Sequence, residues 1–322
     1  MRDMGKMVSD FIASGGKRIR PQLAVWSYLQ GKGGTTAEIP ESVLDLASGW
    51  ELFHAFLLVH DDIIDGAETR RGHPALHVTL ASLDSNSAKF GQHLGIVAGD
   101  LLFTAALEVW HDLDADPATY RTLMRLLSRV ARVTGVGQAI DIIASHLPMD
   151  LVDEETLLQE YLYKTAAYTF EGPMLSGAIL AGLSEEAQSA ISRFALSLGQ
   201  AYQLQNDLID LAQPVTEGSD LIQGKRTVTL IRHRSRLDAV RKHAFDQRLA
   251  ELVGTDGKTL ELGEQFRKDL LADDVIAPTA QLIDQLIADA EEATRSRSLP
   301  ESMGTSMAQL LGSVKSAYFR AV

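Results

Sequence analysis

Two segments of this sequence carry polar and acidic side chains at helical spacing. Residues 57–72 read LLVHDDIIDGAETRRG, in which Asp61 and Asp65 are four positions apart and Asp62 lies between them. Residues 203–211 read QLQNDLIDL, with polar side chains at offsets of 0, 3, 4 and 7. Residues three or four positions apart share one face of an α-helix, so each segment predicts a crowded polar face. Magnesium prefers a few carboxylates together with phosphate oxygens, and the two segments therefore predict Mg²⁺ ions that bridge to a diphosphate.

Basic side chains that could hold phosphate groups occur at several separate places. The segment SGGKRIRP (14–21) presents cations at the start of a predicted helix, a favourable place for an anion; a solvated basic turn is the alternative. The candidate phosphate-binding residues are Lys17, Arg20, Arg70, Arg71, Lys164 and Lys225. They outnumber what one phosphate needs, which indicates a triphosphate or two diphosphates. The sequence contains neither a Walker-type GKS/T loop nor a glycine-rich dinucleotide fingerprint, which disfavours a nucleotide.

Four further residues remain open on spacing alone. His54 lies two helical turns before Asp61 and faces either the same cleft or the core. Gln138 and Asp141 share a helix face, where they form either an interhelical hydrogen bond or a polar cavity wall. Lys164 stands in mid-helix, where it either meets an anion or extends to solvent.

The amino-acid composition limits the classes of protein to which this chain can belong. The 322 residues are 45% hydrophobic and only 6% aromatic, a mixture that supports a sizeable helical core. The net charge of −13 argues against nucleic-acid binding, and the absence of cysteine excludes disulfides and thiolate chemistry. No signal-peptide-like run and no uninterrupted apolar stretch of membrane-spanning length is evident. The sequence therefore predicts a soluble, cytoplasmic protein without a membrane span, leaving peripheral membrane association open.

The apolar periodicity is helical along most of the chain. Helices are expected at about 21–30, 41–65, 88–110 and 121–144, around 163–165 and 203–211, and as charged amphipathic helices after 229. The segment RRGHPALH (70–77) is expected to form a loop. No internal repeat is detectable, and residues 1–322 are expected to form one domain.

Five motifs in register carry a resemblance to a known family. GGKRIRP, HDDIID followed by RRG, KTA, YQLQND and GKRT resemble the trans-isoprenyl diphosphate synthase (polyprenyl synthetase) family over residues 15–227. The resemblance implies an all-α, single-domain helical bundle around a deep central cavity, usually a homodimer. It also implies Mg²⁺-assisted ionisation of an allylic diphosphate, attack by isopentenyl diphosphate, and loss of a proton.

The resemblance also implies a role for each matching residue. The metal ligands would be Asp61, Asp62, Asp65, Asn206, Asp207 and Asp210, with Asp62 in support and three Mg²⁺ ions when diphosphate is bound. The allylic diphosphate would be held by Arg70, Lys164 and Lys225, and isopentenyl diphosphate by Lys17, Arg20, His54 and Arg71. Thr165 and Gln203 would line the carbocation, and Gln138 and Asp141 would support the site from behind.

Two departures from the family pattern qualify this interpretation. Asn206 stands where the family has an aspartate ligand of the third magnesium, so weaker binding of that ion is expected. The segment before GGKR is short, which suggests a truncated or late start of the chain. A terpene cyclase-like or specialised prenyl coupling enzyme on the same fold, which also uses such an asparagine, and a non-catalytic subunit of a heteromeric synthase remain the alternatives.

Side chains preceding the first acidic motif should set the product length. Phe56 lies five positions before Asp61 and Leu57 four positions before it. By resemblance, one aromatic residue at the fifth position predicts a C20 product, with C15 as the next candidate. Phe53, one helical turn earlier, is a further candidate for narrowing the tunnel.

Overall fold

The computed structural model describes residues 2–34, 38–84, 87–216, 218–252 and 257–318. Its helices are α1 (Arg2–Ala13), α2 (Ile19–Gly31), α3 (Glu41–Ile64), α4 (Leu76–Ala81), α5 (Ala88–His111), α6 (Pro117–His146), α7 (Glu154–Glu160), α8 (Gly172–Leu180), α9 (Glu185–Ala212), α10 (Val228–Ser235), α11 (Ala239–Glu251), α12 (Gly257–Leu270), α13 (Asp273–Thr294) and α14 (Glu301–Tyr318). A 3₁₀ turn spans Met149–Leu151, and a π-helix, Tyr161–Glu171, joins α7 to α8. The expected all-α fold is confirmed.

The segment expected to be a loop contains a small hairpin. Strand β1 (Thr69–Arg70) pairs antiparallel with β2 (His73–Pro74). The two residues between the strands, Arg71 and Gly72, have positive φ angles of 54° and 78°, as the tightest hairpin turns require. The hairpin therefore fixes the direction of both neighbouring arginines.

Side-chain caps explain where several helices begin. Asp116 accepts hydrogen bonds from the N–H groups of Ala118 and Thr119, and Pro117 occupies the first helical position. Proline is tolerated there because that N–H has no intrahelical partner. This cap starts α6 at Pro117, four residues before the predicted start at Arg121. The side chains of Ser87, Asp153, Ser184 and Thr227 cap α5, α7, α9 and α10 in the same way.

The apolar faces of the helices meet in one large core. Helix α3 packs against α5, α2 against α8, and α9 against both α13 and the π-helix. The main buried cluster extends from Leu23 to Leu311, and its largest fully buried side chains include Trp50, Trp110 and Phe194. A second cluster lies where α1 and α4 cover α3 and α5.

Two helices, α3 and α5, are long and apolar enough to cross a membrane by length and composition alone. The sequence-based expectation concerned uninterrupted apolar stretches, whereas charged residues such as Glu51 and Asp100 interrupt these two helices. Helix α3 packs against α2 and α5 in the core, and its last turns carry the first acidic motif. Core helices of compact folds meet the same criterion.

Two glycines allow the helices around Lys164 to approach closely. A Cβ atom at Gly137 of α6 would lie 2.4 Å from the backbone nitrogen of Lys164. A Cβ atom at Gly199 of α9 would lie 2.4 Å from the Cβ of Ala166. Helices α6 and α9 therefore clamp the KTA segment of the π-helix from two sides. Irregular π-helical turns of this kind occur mostly at functional sites.

Candidate active site

The main cavity lies between the basic turn before α2, the end of α3, the π-helix and α9. Its volume is about 640 Å³. All four predicted ligands of isopentenyl diphosphate line it, together with four residues from the other predicted sets: Lys17, Arg20, His54, Arg71, Arg70, Thr165, Gln203 and Asn206. The structure thus brings residues from the first four of the five motifs together around one strongly cationic cavity.

The paired glycines of the first motif make room for Arg71. Gly15 and Gly16 have φ angles of 99° and 120°, which side chains other than glycine rarely adopt. The Arg71 guanidinium donates a hydrogen bond to the Gly15 carbonyl oxygen. A Cβ atom at Gly16 would lie 2.4 Å from Arg71 Nη1, so a side chain there would displace this guanidinium from its present position.

Arg20 and His54 form the inner wall of the same cavity. Arg20 Nη2 donates a 2.7 Å hydrogen bond to Thr169 Oγ1, and its guanidinium carbon lies 4.1 Å from the ring centroid of Tyr168. Burial, together with the charges of Arg20 and Arg71, lowers the pKa of His54 from 6.5 to about 2. His54 is therefore neutral, so it offers a hydrogen bond rather than a charge.

The first acidic motif faces three cations across the cavity mouth. Asp61 lies 3.7 Å from Arg70 Nη2 and 3.7 Å from Lys164 Nζ, and Asp65 lies 4.0 Å from Lys225 Nζ. Gln138 Nε2 donates a 3.4 Å hydrogen bond to Asp61. Burial, and then the charge of Asp61, raises the pKa of Asp65. These two carboxylates retain 27% and 18% exposure, so their oxygens remain partly accessible, and Asp61 lines the apolar cavity described below.

Asp62 points away from that opening. Its side chain is fully buried, and Arg70 Nε donates a 2.6 Å hydrogen bond to its Oδ1. Burial raises the pKa of Asp62, whereas the guanidinium of Arg70 opposes that shift. The geometry gives Asp62 the task of holding Arg70 at the cavity mouth.

Residues of the second acidic motif line two different cavities. Asn206 lines the main cavity, whereas Asp207 lines a small polar cavity of about 60 Å³ beneath it. Asp207 is buried, and both of its oxygens accept hydrogen bonds, from Gln203 and from the Tyr161 hydroxyl. Burial, and then the nearby Asp220, raises the pKa of Asp207 to about 8. Asp210 accepts a 3.1 Å hydrogen bond from the Asp220 N–H, and burial raises its pKa to about 6.

Lys164 and Lys225 are anchored by carboxylates outside the two acidic motifs. Lys164 donates a hydrogen bond to Asp141, and Lys225 lies 3.2 Å from Asp220. Burial lowers the pKa of each lysine, but the neighbouring carboxylates outweigh it and leave both pKa values raised. Both ammonium groups are therefore charged. Lys164 meets anions rather than solvent, and Asp141 both forms an interhelical ion pair with Lys164 and lines the small polar cavity.

A separate, largely apolar cavity of about 260 Å³ runs below Asp61 between α3 and α6. Phe56 and Leu57 line it, as do Gly135 and Thr134 on α6. Phe53 does not line this cavity and is buried in the core, 5.7 Å from the ring of Phe56. It supports the cavity floor from behind.

The donor set fits magnesium at the first acidic motif. Magnesium keeps several waters and needs only one or two carboxylates plus phosphate oxygens. Asp61 and Asp65 offer such oxygens beside three cations that suit a diphosphate. Within the described residues, no group of three or more acidic or histidine side chains is arranged to hold a metal ion by itself.

The structure also reveals contacts that the motifs did not indicate. The residues concerned are Glu160, Tyr161, Tyr168, Thr169, Tyr202 and Asp220. Tyr168 and Thr169 follow KTA after one intervening alanine on the π-helix, and Asp220 precedes GKRT by a few residues, so proximity to a motif was the available signal. Tyr161 reaches Asp207 across 46 positions of sequence, which no local pattern indicates.

Comparison with known proteins agrees with this geometry. The family model "Polyprenyl synthetase" matches residues 2–265. A short chain isoprenyl diphosphate synthase of Methanocaldococcus jannaschii is 32% identical over 251 residues, which cover 75% of this chain and 68% of that protein. A geranylgeranyl diphosphate synthase of Methanosarcina mazei is 31% identical over 229 residues, covering 68% of this chain and 64% of the relative.

Solved structures share the fold over almost the whole chain. A geranylgeranyl pyrophosphate synthase from Corynebacterium glutamicum, complexed with isoprenyl diphosphate and magnesium, superimposes with a TM-score of 0.83 at 26% identity. The match covers 96% of this chain and 89% of that one. This chain therefore belongs to the polyprenyl synthetase family and is a prenyltransferase.

Proposed function

We propose that this enzyme catalyses the Mg²⁺-dependent head-to-tail condensation of isopentenyl diphosphate with an allylic diphosphate. The products are pyrophosphate and an all-trans prenyl diphosphate of C20, with C15 as the second candidate. The observation that carries the proposal is the meeting of three spaces at Thr165. This residue lines the cationic main cavity, the small polar cavity and the apolar cavity below Asp61.

The allylic diphosphate is assigned to the mouth of the apolar cavity. Arg70, Lys164 and Lys225 hold its phosphate oxygens, and the hydrocarbon tail extends between α3 and α6. Asp61 and Asp65 hold magnesium, which neutralises the diphosphate and stabilises it as a leaving group when bound. Asp62 and Asp207 are buried, the first bound to Arg70 through Oδ1 and the second to Gln203 and Tyr161, and they act in support of these groups.

Isopentenyl diphosphate is assigned to the main cavity. Lys17, Arg20 and Arg71 hold its diphosphate, and neutral His54 adds a hydrogen bond. The allylic carbon–oxygen bond breaks, the double bond of isopentenyl diphosphate attacks the cation, and a new carbon–carbon bond forms. A proton then leaves the adjacent carbon, and the departing pyrophosphate accepts it.

The third magnesium ion is assigned to the second acidic motif. Asn206 presents an amide oxygen to the main cavity where a charged ligand would bind more tightly. Asp210 is half-buried and retains an oxygen for the same ion. We therefore expect the first two ions to bind more tightly than the third.

The product length follows from the floor of the apolar cavity. The ring of Phe56 lies 5.1 Å from that of Phe103 and 4.8 Å from the imidazole of His60. This aromatic cluster closes the cavity one and a half turns below Asp61 on α3. On α3 itself, the aromatic Phe56 stands five positions before Asp61 and the aliphatic Leu57 four positions before it. By the family resemblance, this pair favours C20 over shorter products.

The assembly is proposed to be a homodimer. Large apolar side chains stand exposed on the outer faces of α5 and α6, including Val97, Leu101 and Ile143 at 50%, 59% and 57% exposure. Exposed apolar patches of this kind mark interaction surfaces, and symmetric pairing would cover both copies at once. Sedimentation velocity should give a dimer that Leu101→Glu dissociates. We further propose that the enzyme acts in the cytoplasm.

The two alternatives predict different features. A terpene cyclase needs no second diphosphate site, yet Lys17, Arg20 and Arg71 all line one cavity. A non-catalytic subunit needs no intact first motif, yet Asp61 and Asp65 face the cavity mouth. Both observations favour the condensing enzyme.

One incubation tests the proposal. The purified protein is given isopentenyl diphosphate, Mg²⁺ and a C5, C10 or C15 allylic diphosphate, and the products are resolved by chain length. We expect C20 as the main product, with some C15. Hydrocarbon release would favour the cyclase, absence of turnover would favour the subunit, and a profile dominated by C30 or longer would refute the assigned floor.

A further inference from the structure

A hydrogen-bonded chain connects the proposed reaction centre to a buried tyrosine. Thr165 Oγ1 donates a 2.9 Å hydrogen bond to Gln203 Oε1, and Gln203 Nε2 donates a 2.9 Å hydrogen bond to Asp207 Oδ1. The Tyr161 hydroxyl donates to the other oxygen of Asp207 and accepts a 3.2 Å hydrogen bond from the Val228 N–H. Three elements therefore meet through one phenol: the π-helix, α9 and α10, whose first residue directly follows the GKRT segment.

The directions of these hydrogen bonds fix the amide of Gln203. Asp207 Oδ1 accepts this hydrogen bond whether the acid is ionised or carries its proton on Oδ2, so Asp207 selects the NH₂ group of Gln203. The amide oxygen must then turn toward Thr165, whose hydroxyl hydrogen is used in the same contact. The lone pairs of Thr165 and the oxygen of Gln203 consequently face the cavities, where an electron-deficient carbon would lie.

Tyr161 keeps this arrangement in place because its hydroxyl group hydrogen-bonds to the second oxygen of Asp207. Tyr161 is only 3% exposed and Asp207 only 6%. Without the phenol, one buried oxygen of Asp207 would lose its partner, which costs enough to favour rotation toward another donor. Lys225, which borders the same small cavity, is such a donor. Rotation would withdraw Oδ1 from Gln203 and release its amide.

We propose that Tyr161 is a positioning residue that orients the Gln203 carbonyl, and with it Thr165, toward the allylic cation. This inference rests on the proposed condensation. Fixed dipoles aimed at developing charge accelerate a reaction without raising substrate affinity. Tyr161 should therefore affect kcat and leave the KM of both substrates unchanged.

The experiment is a double-mutant cycle between Tyr161→Phe and Gln203→Ala, with kcat and KM measured for both diphosphates. Tyr161→Phe should lower kcat about tenfold and change each KM by less than about twofold. In the Gln203→Ala background the same substitution should change kcat by less than about twofold, because its target is gone. Tyr163→Phe is the matched control, since that hydroxyl lies two residues away and contacts only the side chain of Gln159 among the described residues.

A second variant keeps the test independent of the folding of Tyr161→Phe. Val228→Pro removes the N–H that holds the Tyr161 hydroxyl. Val228 is the first residue of α10, and Thr227 before it has φ −103° and ψ 156°, so proline fits both positions. We expect a two- to threefold loss of kcat, absent in the Gln203→Ala background.

The outcomes separate this inference from the proposed function. If the wild type does not condense the substrates, the proposed function fails. If the wild type is active but Tyr161→Phe and Val228→Pro both retain wild-type kcat, the inference is refuted. Equal losses of kcat with and without Gln203 would also overturn it, because Tyr161 would then act through the fold rather than through this amide.

Discussion

The close contact between α6 and the π-helix predicts that Gly137→Ala misplaces Lys164. The added Cβ would lie 2.4 Å from the Lys164 nitrogen and 2.8 Å from its Cα. Both atoms belong to the backbone, so the two helices must separate by about 1 Å to restore ordinary contact. Overpacking of this kind costs about 1–3 kcal/mol, which better helix propensity offsets by at most about 1 kcal/mol.

The expected effect on catalysis exceeds the effect on stability. A displacement of about 1 Å at a group that binds substrate lowers kcat/KM by up to about a hundredfold. Thermal unfolding should move by only a few degrees, in proportion to a net loss of about 1–2 kcal/mol. Steady-state kinetics and thermal unfolding, measured on the same preparations, separate the two effects.

Gly5→Ala is the control for this prediction. Gly5 is exposed on α1 away from the cavities, and a Cβ there would meet no atom within 4 Å. This variant should keep kcat/KM and gain slightly in stability from helix propensity. Equal kinetics for the two variants would refute the argument that close packing at Gly137 positions Lys164.

Three further predictions concern the cavity walls. Phe56→Ala should lengthen the products seen by chromatography, and unchanged chain lengths would contradict the assigned floor. Phe53→Ala should chiefly lower the free energy of unfolding, by about 3–5 kcal/mol in denaturant titrations. His54 has a folded-state pKa of about 2, below its ordinary 6.5, so the unfolded state takes the proton first as the pH falls below 6.5. The free energy of unfolding of the ligand-free protein should therefore fall by roughly 2 kcal/mol between pH 7.5 and pH 5 through this group, and His54→Gln should remove that loss. Identical pH dependence of stability in the two proteins would refute this prediction. Asn206→Asp should lower the half-saturating Mg²⁺ concentration by on the order of tenfold, and coincident titration curves would show that this position does not limit metal binding.

The sequence was most informative where function depends on local spacing. Asp61 and Asp65 are one helical turn apart, and their common direction follows from helix geometry alone. The predicted bounds of α3 and α5 also agree with the structure to within a residue or two, because long apolar helices have a strong period. The hairpin at 69–74 was missed because two-residue strands have no period to detect.

The remaining features depend on packing between distant segments. Phe53 and Phe56 lie one turn apart, and only the positions of α5 and α6 decide that Phe56 lines the cavity. The burial of Asp207 likewise depends on Tyr161, 46 positions earlier in the chain. Local spacing therefore predicted which residues gather at the site, and tertiary contacts determined which of them face the substrate.

The central claim is that Asp61 and Asp65 hold magnesium against an allylic diphosphate during condensation. It is tested most directly by the rate of prenyl diphosphate formation across a Mg²⁺ titration in the wild type, Asp61→Asn and Asp65→Asn. Asp45→Asn is the matched control, on the same helix but about 24 Å from Asp61. We predict no turnover without Mg²⁺, a loss on the order of 10²–10³-fold at saturating Mg²⁺ in the two motif variants, and none in the control. Turnover without divalent metal, or motif variants as active as Asp45→Asn, would contradict the account.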